Sequence, residues 1–284
     1  MSKGVRPFEE LLKSIESKMS KIKHKIMIVS GKGGVGKSSV AASLSLATAV
    51  KGKKVGLLDA DIHGPSIPKI LGLEKSKLLI SPLGIVPVIG PLNLKVVSTQ
   101  FILPEEDAPV IWRGPLKGRL IAEFLANVNW GELDYLYVDL PPGTGDEPLS
   151  IAQYIKNMSG AVIVTIPSDL SRVVVKKAVR FCQKLNVPIL GIIENMNGFT
   201  CPKCGTTYNI FGEGAGRKIA VEMNIPYLGS IPIDPRISEC NDKGEPFIIK
   251  YEDAPATKII LQIAEEIISK LCLLYTSPSP RDRG

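Results

Sequence analysis

The sequence predicts an α/β fold in which a mainly parallel, twisted sheet is covered by helices on both faces, giving three layers. Three observations predict it. Short β-branched runs such as Ile26 to Val29 and Ala161 to Ile166 are apolar at consecutive rather than alternate positions, so both faces of each strand are buried. Helix-period segments separate many of these runs, the alternation that parallel strands with crossover helices require. The glycine-rich stretch GKGGVGKSS, residues 31–39, falls directly between the first such strand and the first such helix.

Taken in order, Phe8, Leu11, Leu12, Ile15, Met19 and Ile22 recur at helical spacing with lysines on the opposite face. Residues 1–24 therefore read as an amphipathic N-terminal segment docked on the body or on a partner. Residues 25–272 read as one domain. Strands are expected at Ile26 to Val29, Lys54 to Leu58, Leu94 to Ser98, Tyr135 to Val138, Ala161 to Ile166, Ile189 to Ile193 and Tyr227 to Ile231. Helices are expected at Lys37 to Val50, Leu116 to Asn127, Pro148 to Lys156, Leu170 to Leu185, Ala215 to Met223 and Pro255 to Leu271. No internal repeat or long linker divides them. After the stripe Ile259, Ile260, Ile263, Ile267 and Leu271, the Ser/Pro/Arg-rich end has no face to bury, so residues 273–284 are expected to be a disordered, non-native tail.

Composition narrows the function classes. With 284 residues and 44% hydrophobic content the chain can bury a substantial core. No apolar run approaches the roughly 18 residues of a membrane span, and charges stand where a signal peptide needs an apolar centre. A cytoplasmic protein without a membrane partner is expected. The net charge of +7 suggests nucleic acid, but seven Lys/Arg against three Glu fall in residues 1–25, and the body is nearly neutral. That distribution argues against a nucleic-acid partner.

Residues 31–38 fit G-x-x-x-x-G-K-[ST] in its strand-to-helix context, which makes the fold a P-loop NTPase. Gly31, Lys32, Gly33, Gly34, Val35, Gly36, Lys37, Ser38 and Ser39 are the candidate nucleotide cradle. Backbone N–H groups and the helix N-terminus face the phosphates, Lys37 adds a mobile charge, and the Ser38 hydroxyl can ligate Mg²⁺. Phosphoryl transfer also needs a metal-holding acid and a group to orient the attacking water. Asp139 ends a buried strand in LYVDLPPGTGDE, and Asp59 and Asp61 end another in VGLLDADIHGPSIP.

FTCPKCG places Cys201 and Cys204 in a C-x-x-C turn. Two thiolates chelate one metal centre, but a closed zinc or [4Fe–4S] site wants about four ligands. A homodimer would bring two such pairs to one axis. A bridging cluster, a zinc at the same thiolates and a redox dithiol all remain open on the residues alone. Cys182 reads as core, and Cys240 has no partner in sequence.

The lysine pair in KGGVGKSS resembles the deviant Walker A of the MinD/ParA class of dimeric nucleotidases. DADIHGPSIP (59–68), WRGP (112–115), DLPPGTGDE (139–147), IENMNGFTCPKCG (193–205) and GSIPIDPRI (229–237) further resemble the Mrp/ApbC subfamily of iron–sulfur carrier ATPases. The resemblance implies an ATPase that carries a labile [4Fe–4S] cluster across a homodimer interface to apo-proteins, loaded by cluster donors. It implies that Lys32 reaches the partner's nucleotide, that Asp59 orients the hydrolytic water, that Asp61 belongs to a switch loop and that Asp139 sits near Mg²⁺. It also implies that Asn195 meets the adenine edge, with the loop around Pro232 and Asp234 closing over the base. The competing function is a MinD- or ParA-like positioning ATPase with a structural zinc at the cysteines. That rival predicts a basic amphipathic C-terminal helix, whereas Pro255 to Leu271 carries Glu265 and Glu266 between its lysines. A kinase or synthetase would need an acceptor site that no motif supplies.

Overall fold

In the computed structural model the described residues are 7–62, 64–82, 84–102 and 114–276. Helix α1 (Phe8–Met19) leads into β1 (Ile22–Ser30), the phosphate-loop region and α2 (Lys37–Val50). Next come β2 (Val55–Asp59), the short α3 (Ile67–Ile70), a hairpin of β3 (Leu79–Ser81) and β4 (Gly84–Val86), then β5 (Val88–Ile89) and β6 (Lys95–Ser98). The central part continues through α4 (Gly114–Asn127), β7 (Leu133–Asp139), α5 (Asp146–Tyr154), β8 (Gly160–Thr165), α6 (Ser171–Lys184) and β9 (Ile189–Glu194). A second small hairpin, β10 (Phe199–Thr200) and β11 (Thr207–Tyr208), precedes α7 (Ala215–Glu222), β12 (Tyr227–Ser230), α8 (Pro235–Lys243), α9 (Phe247–Lys250) and α10 (Pro255–Thr276).

Eight strands form one sheet in the order β12-β9-β8-β1-β7-β2-β6-β5. All its pairings are parallel except that of the edge strand β5 with β6. Consecutive apolar residues serve opposite faces, as a doubly covered sheet demands. In β1, Met27 and Val29 enter the core beneath α1, α4, α6 and α7, while Ile26 and Ile28 enter the core beneath α2, α9 and α10. On the α2 face Tyr137, wholly buried, pairs its hydroxyl with Thr48 at 2.8 Å, so its polar end is satisfied.

At both ends the elements run differently from the periodicity. Ile22 belongs to β1, not to the N-terminal helix, and Lys25 is buried, its Nζ donating to the carbonyls of Met19 (3.4 Å) and Ile22 (3.3 Å), which closes the end of α1. Burial lowers its pKa. Leu11, Ile15 and Met19 are buried, and Ser14 Oγ donates to the Ala126 carbonyl at 2.9 Å, so α1 is docked on α4. At the other end α10 continues through Thr276, past residue 272, because the helix stays on the sheet face to Leu271 and runs on into solvent. The remainder of the expected tail lies outside the described residues, as do His63 and the Trp112–Arg113 half of WRGP. Among the described residues no helix is long and apolar enough to cross a membrane.

Candidate functional site

Parallel strands deliver their C-terminal ends to one edge, which concentrates the candidate residues there. Asp59 and Asp139 are register partners on β2 and β7, and Asp139 also lies opposite Ile28 of β1. The loop after β7 is tied to the same edge, since Gly143 N–H donates to the Ser30 carbonyl at 2.9 Å.

The phosphate loop turns through left-handed backbone at Gly34 and Gly36, both at φ 77°. A side chain at Gly36 would also place its Cβ 2.3 Å from Asn195 Nδ2. Lys37, first residue of α2, is buried, and its Nζ donates to Asp139 Oδ1 at 2.5 Å. Asp139 is wholly buried, and its second oxygen has no hydrogen-bond partner among the described residues. Asp59 accepts from Ser98 Oγ at 3.1 Å and from the backbone N–H groups of Ile67 and Asp61 at 3.3 Å each. Burial pushes both carboxyls above their ordinary range. The proximity of Asp139 raises Asp59 further, while Lys37 opposes the rise at both. Two adjacent buried carboxyls facing one lysine, with an orphaned oxygen beside Ser38, are a donor set that fits a hard divalent cation. Asp61 and Lys32 line the same phosphate cavity with Ser38 and Pro142.

Behind Gly36 a second cavity, of about 270 Å³, opens between α2 and α8. Asn195, Pro232 and Asp234, the residues expected near the base, stand in its wall, with Asn195 Nδ2 and the Asp234 carboxylate already hydrogen-bonded. Asn195 Nδ2 donates to the Val35 carbonyl at 2.9 Å, tying β9 to the phosphate loop. Asp234 caps α8 through Arg236 N–H and takes two bonds from the Arg236 guanidinium at 2.9 and 2.6 Å, which holds its carboxyl below the usual range. Met196 and Phe211 also line this cavity, and Asn241 Nδ2 crosses to Ser39 Oγ at 3.1 Å. Sequence reasoning named Ser39 but missed Met196, Phe211 and Asn241.

Cys201 and Cys204 sit between the strands of the β10–β11 hairpin. The Cys201 N–H donates to the Thr206 carbonyl and the Gly205 N–H to the Cys201 carbonyl, both at 2.9 Å, with Gly205 at φ 73°. Cys204 is exposed, and its Sγ lies 3.4 Å from Thr206 Oγ1. Hydrogen bonding from the Thr206 side chain and backbone, then from Cys201, lowers the Cys204 thiol below its ordinary pKa. Among the described residues no three His, Cys, Asp or Glu side chains converge as a metal site, so the hairpin presents two thiolates and no third ligand. Cys182 and Cys240 are both buried; burial pushes the Cys182 thiol up to about 12.

Residues 21–268 match the model of a protein family described as ParA, NUBPL iron-transfer P-loop NTPase. The chain belongs to this family. Within this iron-transfer family, a protein of Saccharolobus solfataricus named iron-sulfur cluster carrier protein is 54% identical over 254 residues, 89% of this chain and 86% of the relative. A protein of the same name from Methanocaldococcus jannaschii is 49% identical over 257 residues, 90% of this chain and 88% of the relative. Among solved structures, the nucleotide-binding protein of Archaeoglobus fulgidus in complex with ADP, with Co, superposes with a TM-score of 0.74 at 45% identity, covering 83% of this chain and 92% of that one. The cell division ATPase MinD of Pyrococcus furiosus (TM-score 0.65, 23% identity, 87% of this chain and 99% of that one) shares the fold. An iron-transfer P-loop NTPase thus carries its phosphate loop after β1 and its C-x-x-C hairpin after β9, at one sheet edge with β8 between them.

Proposed function

We propose that the chain is a cytoplasmic ATP-hydrolysing carrier that holds a labile [4Fe–4S] cluster between two copies of itself and passes it to apo iron–sulfur proteins. The observation that carries this reading is the pairing of a complete nucleotide cradle with an incomplete thiolate site on the same sheet edge. Two thiolates leave a four-ligand cluster half coordinated, and a two-fold related copy supplies the other Cys201 and Cys204. The names of the relatives from Saccharolobus solfataricus and Methanocaldococcus jannaschii support the cargo.

For hydrolysis, the phosphate-loop N–H groups and Lys37 hold the β- and γ-phosphates, Lys37 turning from Asp139 to the phosphate oxygens. Asp139 and Ser38 would hold Mg²⁺, which neutralises charge on the transferring phosphoryl group. Asp59, held by Ser98 and Ile67, orients the attacking water and accepts its proton as the bond from phosphorus to the departing ADP oxygen breaks. Lys32 acts across the dimer on the partner's γ-phosphate, so turnover needs two closed subunits. Asp61 belongs to the loop that responds to that phosphate. The base lies in the cavity of Asn195, Pro232 and Asp234.

Anaerobic reconstitution with iron and sulfide tests the reading. The parent chain is expected to bind about four irons per dimer with a thiolate-to-iron visible band, and to yield the cluster to an apo-acceptor. Cys201→Ala and Cys204→Ala should each abolish the band. Tight zinc with no cluster would sink the carrier function and leave a positioning ATPase with a structural clasp.

A further inference from the structure

The chain leaves the sheet at the end of β9, carries Cys201 and Cys204 out on the hairpin, and returns at α7. Both roots of this excursion touch the same two things. The first is the cavity behind Gly36, whose wall includes Met196 on the outgoing root and Phe211 on the returning one. The second is the carboxylate of Glu194, wholly buried at the last position of β9. Its Oε2 accepts from Asn197 Nδ2 of the outgoing root at 3.1 Å, and its Oε1 accepts from Gly216 N–H, where the returning chain enters α7, at 2.7 Å. Tyr227 Oη donates to Oε2 at 3.1 Å from the neighbouring strand β12.

The link between cavity and clasp is short and held out of its relaxed shape. Met196 adopts left-handed backbone, φ 58°, a conformation that a side chain with a Cβ rarely takes without anchors. The anchors are present: Asn195 N–H donates to the Thr165 carbonyl at 2.7 Å and Asn197 N–H to the Ile231 carbonyl at 2.9 Å. Beyond them Gly198, at φ 77°, passes beneath the hairpin, where an added Cβ would meet Thr207 Cγ2 at 3.3 Å. A group filling the cavity therefore presses on both roots while Glu194 fixes their separation.

We propose that Glu194 is a positioning residue that clasps the two roots of the cysteine hairpin, so that occupancy of the adjacent base cavity by a purine nucleotide is transmitted to the Cys201–Cys204 pair. The inference rests on the carrier reading and adds to it the path by which nucleotide reaches the thiolates. Coupling of this kind requires that nucleotide favour one of two hairpin arrangements, and the left-handed turn at Met196 is where the proposal places the difference between them.

The test is a Co²⁺ titration of the full-length protein, read by the thiolate-to-cobalt charge-transfer band, with and without Mg-ADP, using Cys201→Ala as the blank. In the parent, ADP is expected to shift apparent Co²⁺ affinity by about fivefold or more. In Asn197→Ala and Glu194→Gln that shift should fall below about twofold, while nucleotide-free Co²⁺ affinity and ADP affinity stay within about threefold of the parent. Tyr227→Phe, which removes a hydroxyl but leaves both roots clasped, should keep the shift. A full shift in Asn197→Ala, or a cysteine-dependent band in the parent that ignores nucleotide, would overturn the proposal with the carrier reading intact. No cysteine-dependent band in the parent would remove the carrier reading and this inference together.

Discussion

Lys37 and Asp139 meet where both are buried, whereas Cys204 stands in solvent between two strands of two residues each. The phosphate site is braced by β1, β2 and β7, the middle of an eight-stranded sheet, and its charges are held by neighbours within the same chain. The cysteine hairpin is braced by its own turn and by its roots. The difference teaches that the nucleotide machinery is preorganised at a cost in buried charge, while the thiols are left accessible with no third ligand among the described residues, as the proposed uptake and release of a cluster would require. Stability should therefore depend on the first region and metal handling on the second.

The largest break in that contrast is Lys37→Ala. Among the described residues Lys37 is the only side-chain cation bonded to Asp139, and the proposed mechanism sets it on the transferring phosphoryl group, so its removal is expected to lower hydrolysis by at least about a hundredfold. Because the lysine and its carboxylate partner are both desolvated, unfolding free energy should fall by about 3 kcal/mol, measured by urea denaturation of the metal-free protein. Retained activity would show that the buried pair is structural.

Asp59→Asn should separate catalysis from stability. Hydrolysis is expected to drop by about a hundredfold for want of a proton acceptor. The folded carboxyl titrates above its unfolded value of 3.8, so the folded state holds its proton longer, and parent stability falls as pH rises from that value through the folded pKa. The asparagine lacks this titration. In metal-free protein at pH 7 the variant should melt about 2–4 °C higher than the parent, and the gain should vanish near pH 4. A melting temperature lowered at both pH values would mean that the hydrogen bonds from Ser98 and Ile67 outweigh the buried charge.

The smallest effect lies on the hairpin. Thr206→Val withdraws the hydroxyl that lowers the Cys204 thiol, so the thiolate fraction at neutral pH should decrease. Iodoacetamide alkylation of metal-free protein at pH 7 is expected to slow about threefold, with the reactivity profile moved to higher pH, while the melting temperature stays within about 1 °C. An unchanged profile would assign the low pKa to the turn backbone.

Much of this molecule was legible from residue order. Strands such as β1 and β8 bury consecutive apolar residues on two faces, a pattern with few alternatives, and the phosphate loop is dictated by glycines at 34 and 36 that alone accept its backbone angles. The expected core helices all form, with boundaries moved by a turn or less except at the end of α10, which runs on from Leu271 to Thr276. The hairpin β3–β4, the edge strand β5 and the short helices α3 and α9 carried no such signal, since elements of two to four residues show no period and form where neighbours supply their partners.

The site divides along the same line. Local sequence determined which groups are capable of chemistry: a phosphate-binding turn, acids at strand ends and a pair of thiols three residues apart. The tertiary structure alone decided which of them share an environment. Register between β2 and β7 sets Asp59 against Asp139, 80 positions apart in the chain, and burial there pushes both carboxyls above their ordinary range. Glu194 stands inside IENMNGFTCPKCG, yet nothing in that stretch gave it a role; it faces both roots because the chain departs and returns beside it, and a carboxylate sealed from water binds whatever donors the fold presents. Sequence separation carries no information about desolvation, and desolvation decides what these carboxylates do.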